Sequence, residues 1–166
     1  ILGAGDTEGD ETYLKELVNH LEIKDKVVFT GFIPMDTAWE YIRSSVVCLS
    51  PYYPTPILLS TSPTKLIEYM AMGKAVVGNE HPEQKQVLEE SGAGICVPWN
   101  KVAFSNAINS LCDDPLQADI MGKSGRVFVE KHRTNKVMSD RVEETYLRIL
   151  DEGNNNPESL GIRLDN

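Results

Sequence analysis

The chain has 166 residues, 41% of them hydrophobic and 25% charged, which suits one soluble globular domain and makes a second complete one unexpected. A formal net charge of -9 and a pI near 4.8 set the chain against nucleic acid, whose phosphates repel it unless a basic patch intervenes, and the sequence shows none. No apolar run approaches the ~20 residues of a membrane span and no signal peptide is visible, so a cytoplasmic location is expected, with peripheral membrane attachment left open for a longer protein.

Cys48, Cys96 and Cys112 are odd in number, far apart and set in apolar contexts, the pattern of reduced, buried thiols. His20, His81 and His132 are equally scattered and show no ligand spacing with one another or with the cysteines, so neither a metal nor a cofactor is expected.

In chain order, Ile1 and Leu2 read as the end of a strand, and the chain is expected to continue upstream of them. The turn Gly3-Ala4-Gly5-Asp6 follows. Gly3 and Gly5 invite a dinucleotide reading, but the third glycine is Gly9, one residue later than G-x-G-x-x-G requires. Leu14, Leu17, Val18 and Leu21 then recur at helical spacing. Val27 to Thr30 is a β-branched and aromatic strand ended by Gly31, and Phe32, Ile33 and Pro34 form a short apolar loop. Asp36 is placed to cap a helix that turns Trp39 and Ile42 inward.

Val46 to Leu49 is a continuous apolar run, as in a strand covered on both faces. Ser50 to Thr61 is a long loop rich in Pro and Tyr, and a loop of this length in a compact domain commonly carries function. Further on come a strand at Ala75 to Val77, a helix over Pro82 to Glu90 and a strand at Ile95 to Val97. Helices are expected after Lys101 with Val102, Ile108 and Leu111 inward, then from the Asp113-Asp114-Pro115 break to His132. A last helix is expected over Thr134 to Leu150 with Val137, Val142, Tyr146, Ile149 and Leu150 on its apolar side. Residues 1–150 thus form the expected domain, and 151–166 a polar, mobile tail.

The central stretch, Ser60 to Gly78, reads STSPTKLIEYMAMGKAVVG. Ser62 and Pro63 supply a helix start, a serine cap followed by a proline suited to the first turn. Leu66, Ile67 and Met70 share an apolar stripe, while Thr64, Lys65 and Glu68 share the other side. A helix start with Thr and Lys in its first turn offers N–H groups and a positive dipole end to a phosphate. Glu68 lies about 7 Å further along the axis at about 1.5 Å per residue, a separation that fits a ligand with a phosphate at one end and hydroxyls at the other. A core helix with an ordinary cap and a surface Glu-Lys pair gives the same spacing.

Five short strands alternating with helices imply a doubly wound α/β fold with a parallel sheet. Ligands of such sheets bind at the carboxyl ends of the strands. Here those ends are the Gly3 loop, the Gly31 loop, the Ser50 to Thr61 loop and the segment after Val77.

The succession G-A-G-D, V-V-F-T-G-F-I-P, V-V-C-L-S-P, S-P-T-K-L-I-E-Y-M-A-M-G-K-A-V-V and S-G-A-G-I-C-V-P resembles the C-terminal, donor-binding half of retaining glycosyltransferases of the GT-B fold, the group 1 or family 4 type, over about residues 1–150. The resemblance implies a Rossmann-like half that holds a nucleotide-diphosphate-sugar as donor substrate. It also implies an N-terminal half, absent from this chain, that receives a saccharide or lipid-linked acceptor. By the same resemblance Glu68 matches the glutamate on the ribose hydroxyls, Thr64, Lys65 and Leu66 the helix start that receives the diphosphate, and Gly31, Phe32 and Ile33 the loop that receives the base. Gly3, Gly5, Ser60 and Ser62 complete the donor-binding set.

Family members often carry a second glutamate ahead of the first, with seven residues between the two, that touches the donor sugar. That position is Ser60 here, and one hydroxyl cannot replace a carboxylate's paired acceptance. No base able to activate Ser60 as a nucleophile is evident either, and no catalytic residue is assigned. The family's first strand, with its Arg and Lys, would precede Ile1. By the resemblance it would lie between the Ile1 strand and the Ala75 strand, so an oligomer or a strand swap is expected if it is truly missing. A non-catalytic nucleotide-sugar-binding module, or a nucleotide-sugar epimerase using His81 and Glu83, are the alternative functions.

Overall fold

In the computed structural model, which describes residues 1–5 and 8–155, the chain divides into the units Ile1–Ser45 and Val46–Asn166. The first holds α1 (Glu8–His20), a 3-10 turn (Lys24–Lys26) and α2 (Met35–Ser44). The second holds β1 (Val47–Ser50), α3 (Pro56–Leu59), α4 (Thr64–Ala71), β2 (Ala75–Asn79), α5 (Pro82–Ser91), β3 (Gly94–Val97), α6 (Lys101–Asp113), α7 (Pro115–His132) and α8 (Asn135–Asn155). Asp6 of the first glycine turn lies outside the described residues. So do residues 156–166, most of the expected tail.

The two extended stretches of the first unit do not become ladder strands. Ile1 donates its amino terminus to Val28 O at 2.8 Å. Thr30 N donates to Ile1 O at 3.1 Å and Gly3 N to Gly31 O at 3.2 Å, with a single antiparallel bridge joining Gly3 and Gly31. Both glycines take positive φ, 94° and 61°, which turns the chain out of the extended region just where a ladder would continue. Asp36 is not the cap expected of it. Pro34 occupies that position with no side-chain bond, and Asp36 sits in the first turn, where its charge suits the helix dipole.

In the second unit the three apolar runs form a parallel sheet in the order β1-β2-β3, so the expected five strands are three among the described residues. Leu49 is in register with Val77, and Val77 with Ile95. Period-two alternation in β2 divides the core. Val76 packs with Leu66, Met70, Val87, Leu88 and Val129 on one face, while Ala75 and Val77 pack with Val97, Ala107, Leu111 and Ala118 on the other. Because β2 has β1 on one edge and β3 on the other, no strand is missing beside Ala75. A further strand of this sheet would have to add outside β1 or β3.

Helix ends follow local chemistry. His81 and Asp114 cap α5 and α7 by accepting N–H bonds from Gln84 and Gln117, and Gly92 ends α5 at φ 64°. Gly122 lets α7 lie against the Gly73 turn, since a Cβ there would come within 2.7 Å of the Gly73 carbonyl carbon. Several apolar residues expected to face inward are exposed instead: Trp39, Val102, Val142, Tyr146, Ile149 and Leu150. α8 also runs on to Asn155 rather than stopping at Leu150. Of the cysteines Cys48 is buried, Cys96 half-buried and Cys112 exposed, so burial of all three is not observed.

At the end of β1, Ser50 is fully buried and its Oγ has no hydrogen-bond partner. An orphaned buried hydroxyl costs desolvation without return, so Ser50→Ala is expected to raise stability by about 1 kcal/mol. Urea unfolding measures this, and a drop of that size would show that the hydroxyl is satisfied after all.

Candidate functional site

α4 begins without a side-chain cap. Its N-cap is Pro63 (φ -77°, ψ 82°), and Ser62 contributes only its carbonyl, which accepts from Thr64 N at 3.0 Å. The expected serine cap is therefore absent, because a buried proline holds the entry to the helix and leaves its positive end unblocked by a side chain. Leu66 and Met70 are fully buried in the core, and Leu66 N donates to Pro63 O at 3.1 Å. Thr64 and Glu68 are exposed on the opposite side, with Lys65 half-buried between the two faces.

Lys65 Nζ stands 4.4 Å from the centroid of the Tyr52 ring and donates to Pro51 O at 3.4 Å. Burial lowers the pKa of this ammonium from the usual lysine value, since removal from water disfavours the charged form. The Tyr52 phenol is raised, first by burial and then by the Glu68 carboxylate. Tyr69 is raised by burial, then by Cys48, Glu68 and Tyr52. A cation, a carboxylate and two phenols thus share one region at the carboxyl end of β1, as a parallel sheet places a ligand site.

The loop from Pro51 to Thr61 is ordered by Thr55, Asn79, His81 and Gln84, of which the sequence singles out only His81, and for another role. α3 forms within it, its N-cap Thr55 accepting from Leu58 N at 3.3 Å. Asn79, 0% exposed, accepts from Tyr52 N at 2.7 Å and donates to Tyr52 O at 2.9 Å. His81 Nε2 lies 2.8 Å from Leu58 O, and Gln84 Nε2 donates to Asn79 O at 2.9 Å. Gly78 leaves space for that amide, as a Cβ there would meet Gln84 Cδ at 2.6 Å. The available signal was an Asn and a His directly after an apolar strand, at the end where such sheets bind ligands.

Ser60 is the C-cap of α3, and its Oγ donates to Ile57 O at 2.7 Å. Gly3, Gly5, Gly31, Phe32 and Ile33 belong to the first unit, where Phe32 is 90% exposed. Both ring nitrogens of His81 are engaged and Glu83 pairs with Arg133 at 3.1 Å, so neither stands as an epimerase acid or base. A separate groove of about 560 Å³ is lined by Leu49, Pro51, Trp99, Phe104 and Ile108 among others and includes none of Thr64, Lys65 or Glu68. Among the described residues no group of three His, Cys, Asp or Glu is placed to hold a metal ion, and no helix is long and apolar enough to cross a membrane.

Residues 1–128 match the family "Glycosyl transferases group 1". The chain belongs to that family. The match takes in α4, the loop before it and the strand-end residues Asn79 and His81, so the region built above lies inside the part shared with other group 1 glycosyltransferases. Among solved structures the chain is similar to sucrose-phosphate synthase from Thermosynechococcus elongatus, with a TM-score of 0.73, 22% identity, and coverage of 90% of this chain and 38% of that one. At that identity the likeness is one of fold, that of a GT-B glycosyltransferase. The chain spans well under half of that neighbour's length. Comparison with curated proteins found no match.

Proposed function

We propose that this chain carries the donor site of a retaining glycosyltransferase and binds a nucleotide-diphosphate-sugar there. The observation that carries the reading is Lys65, held beside a helix start that no side chain caps, with Glu68 on the next turn. The diphosphate lies against the first turn of α4, where N–H dipoles and the Lys65 ammonium neutralise the charge that grows as the sugar departs. Glu68, exposed on the outer side of α4, accepts from two ribose hydroxyls. Gly31, Phe32 and Ile33, with Phe32 exposed in the first unit, are the residues that the family resemblance assigns to the base.

The sugar passes to an acceptor hydroxyl with retention at the anomeric carbon. The acceptor, a saccharide or lipid-linked molecule, is held by another part of the whole protein, so this chain alone binds donor without turning it over. Ser60, whose hydroxyl donates to Ile57 O, stands where the family's sugar-binding carboxylate is found, and the sugar is held with fewer paired hydroxyl contacts there.

Titration calorimetry with UDP, GDP and TDP tests the reading. One of the three is expected to bind, and Glu68→Ala to weaken it about tenfold, the scale of lost hydrogen bonds to a charged group. Absence of binding by all three, or an indifferent Glu68→Ala, removes the donor site from this chain.

A further inference from the structure

We propose that Asn79 and His81 are positioning residues for the donor cation: they fasten Tyr52 and Leu58 to the end of β2, so that the Tyr52 ring holds the Lys65 ammonium in one place beside the start of α4. This rests on the donor reading above and deepens it.

The Asn79 amide is fully buried, and burial of such a group is unfavourable unless its hydrogen bonds are made. Both go to the main chain of a single residue, one from Tyr52 N at 2.7 Å and one to Tyr52 O at 2.9 Å. Asn79 thereby adds a side-chain rung beyond the last β1-β2 pair, Ser50 with Gly78, and the loop leaves the sheet as though still a strand. His81, 1% exposed, fixes the far end of the same loop. Its Nδ1 accepts from Gln84 N at 3.4 Å, which places the ring proton on Nε2, 2.8 Å from Leu58 O. The His81 ring also packs against the Tyr52 ring, with centroids 5.2 Å apart and planes at 52°.

Tyr52 is thus held through its backbone by one residue and through its ring by the other. A lysine at the start of a helix has many rotamers open to it. Here the ring face at 4.4 Å and Pro51 O at 3.4 Å select one, and Pro51 is the residue before the pinned Tyr52. Release of the loop would free the ammonium to swing into water. The lowered pKa of Lys65, which burial causes, would then return towards the usual lysine value.

The test is a pair of measurements on the chain as it stands, with thermal melting to confirm that each variant is folded. The first is the NMR titration of Lys65 after reductive 13C-methylation, assigned by its loss in Lys65→Met. The second is the affinity for the nucleoside diphosphate that the parent binds. Asn79→Ser and the isosteric Asn79→Asp are each expected to raise the Lys65 midpoint and weaken binding about tenfold, a conversion of one lost charge-assisted contact. His81→Phe is expected to do the same, and His81→Gln, which keeps a donor for Leu58 O, to recover most of the loss.

If folded Asn79 variants leave either the midpoint or the affinity unchanged, the positioning role is overturned while the donor site stands. If the parent binds none of UDP, GDP and TDP, the donor reading itself falls, and the role proposed for the clamp falls with it whatever Lys65 does.

Discussion

Lys65→Met is expected to weaken nucleoside diphosphate binding by about 10- to 100-fold, the range of a charge-assisted contact of about 1.5–3 kcal/mol at a tenfold per 1.4 kcal/mol. Methionine keeps most of the apolar stem, so what is lost is the ammonium and its contact with the Tyr52 ring. Because burial lowers the pKa of the Lys65 ammonium, its proton is lost at a pH below the usual lysine range, and affinity is expected to fall as the pH rises into that window. The stability contribution has the opposite sign. The unfolded chain holds the proton more tightly than the folded one, so folded stability is expected to rise through the same window. Lys65→Arg, charged throughout, should flatten both trends. Calorimetry and denaturant unfolding across that range measure the two slopes, and slopes of like sign would mean that Lys65 is not the titrating group.

Gly94→Ala is expected to be the most damaging single substitution on the sheet. Gly94 is in register with Val76, and a Cβ at Gly94 would fall within 2.7 Å of both the Val76 carbonyl carbon and its nitrogen. These are main-chain atoms of a fully buried strand, and no rotamer change relieves the clash. One strand must move away, opening the ladder between β2 and β3 and loosening the core on both faces of β2. A cost above about 4 kcal/mol is expected, a large part of the roughly 5–15 kcal/mol that holds a domain together. Urea unfolding of the variant decides it, and a midpoint equal to the parent's would show that β2 and β3 do not pair in this register.

What the sequence disclosed and what it withheld divide along physical lines. β1, β2 and β3 were visible because strands buried on both faces read as unbroken apolar runs, and α4 because Leu66 and Met70 return at helical spacing. Val27 to Thr30 has the same β-branched composition, yet Gly31 at its end and Gly3 across from it, both at positive φ, leave it a single bridge. Composition reports the preference for extended backbone, but not whether a partner lies alongside. The capping errors have one source. Ser62 and Asp36 are good capping residues, and in each case a proline already fixes the chain at the position concerned.

The site was half legible. Thr64 and Glu68 could be set on one side of a helix from spacing alone, though Lys65 lies half-buried between the faces, whereas Tyr52 and Asn79 are 27 residues apart and meet only because parallel strands bring the ends of β1 and β2 level. No local pattern carries that juxtaposition. The exposure of the apolar residues of α8 escapes the sequence for a related reason, since periodicity marks an apolar side without saying what covers it.

The loop before α4 is secured through an amide and two carbonyls, those of Tyr52 and Leu58, which are groups that nearly every amino acid possesses. Side chains of the loop that face water, such as Ile57, therefore carry little of the task of keeping the loop in place. Substitutions can accumulate there without dislodging it, provided Asn79 and His81 persist. Divergence within such a lineage can accordingly retune the exposed side of the loop while its attachment to β2 stays inherited.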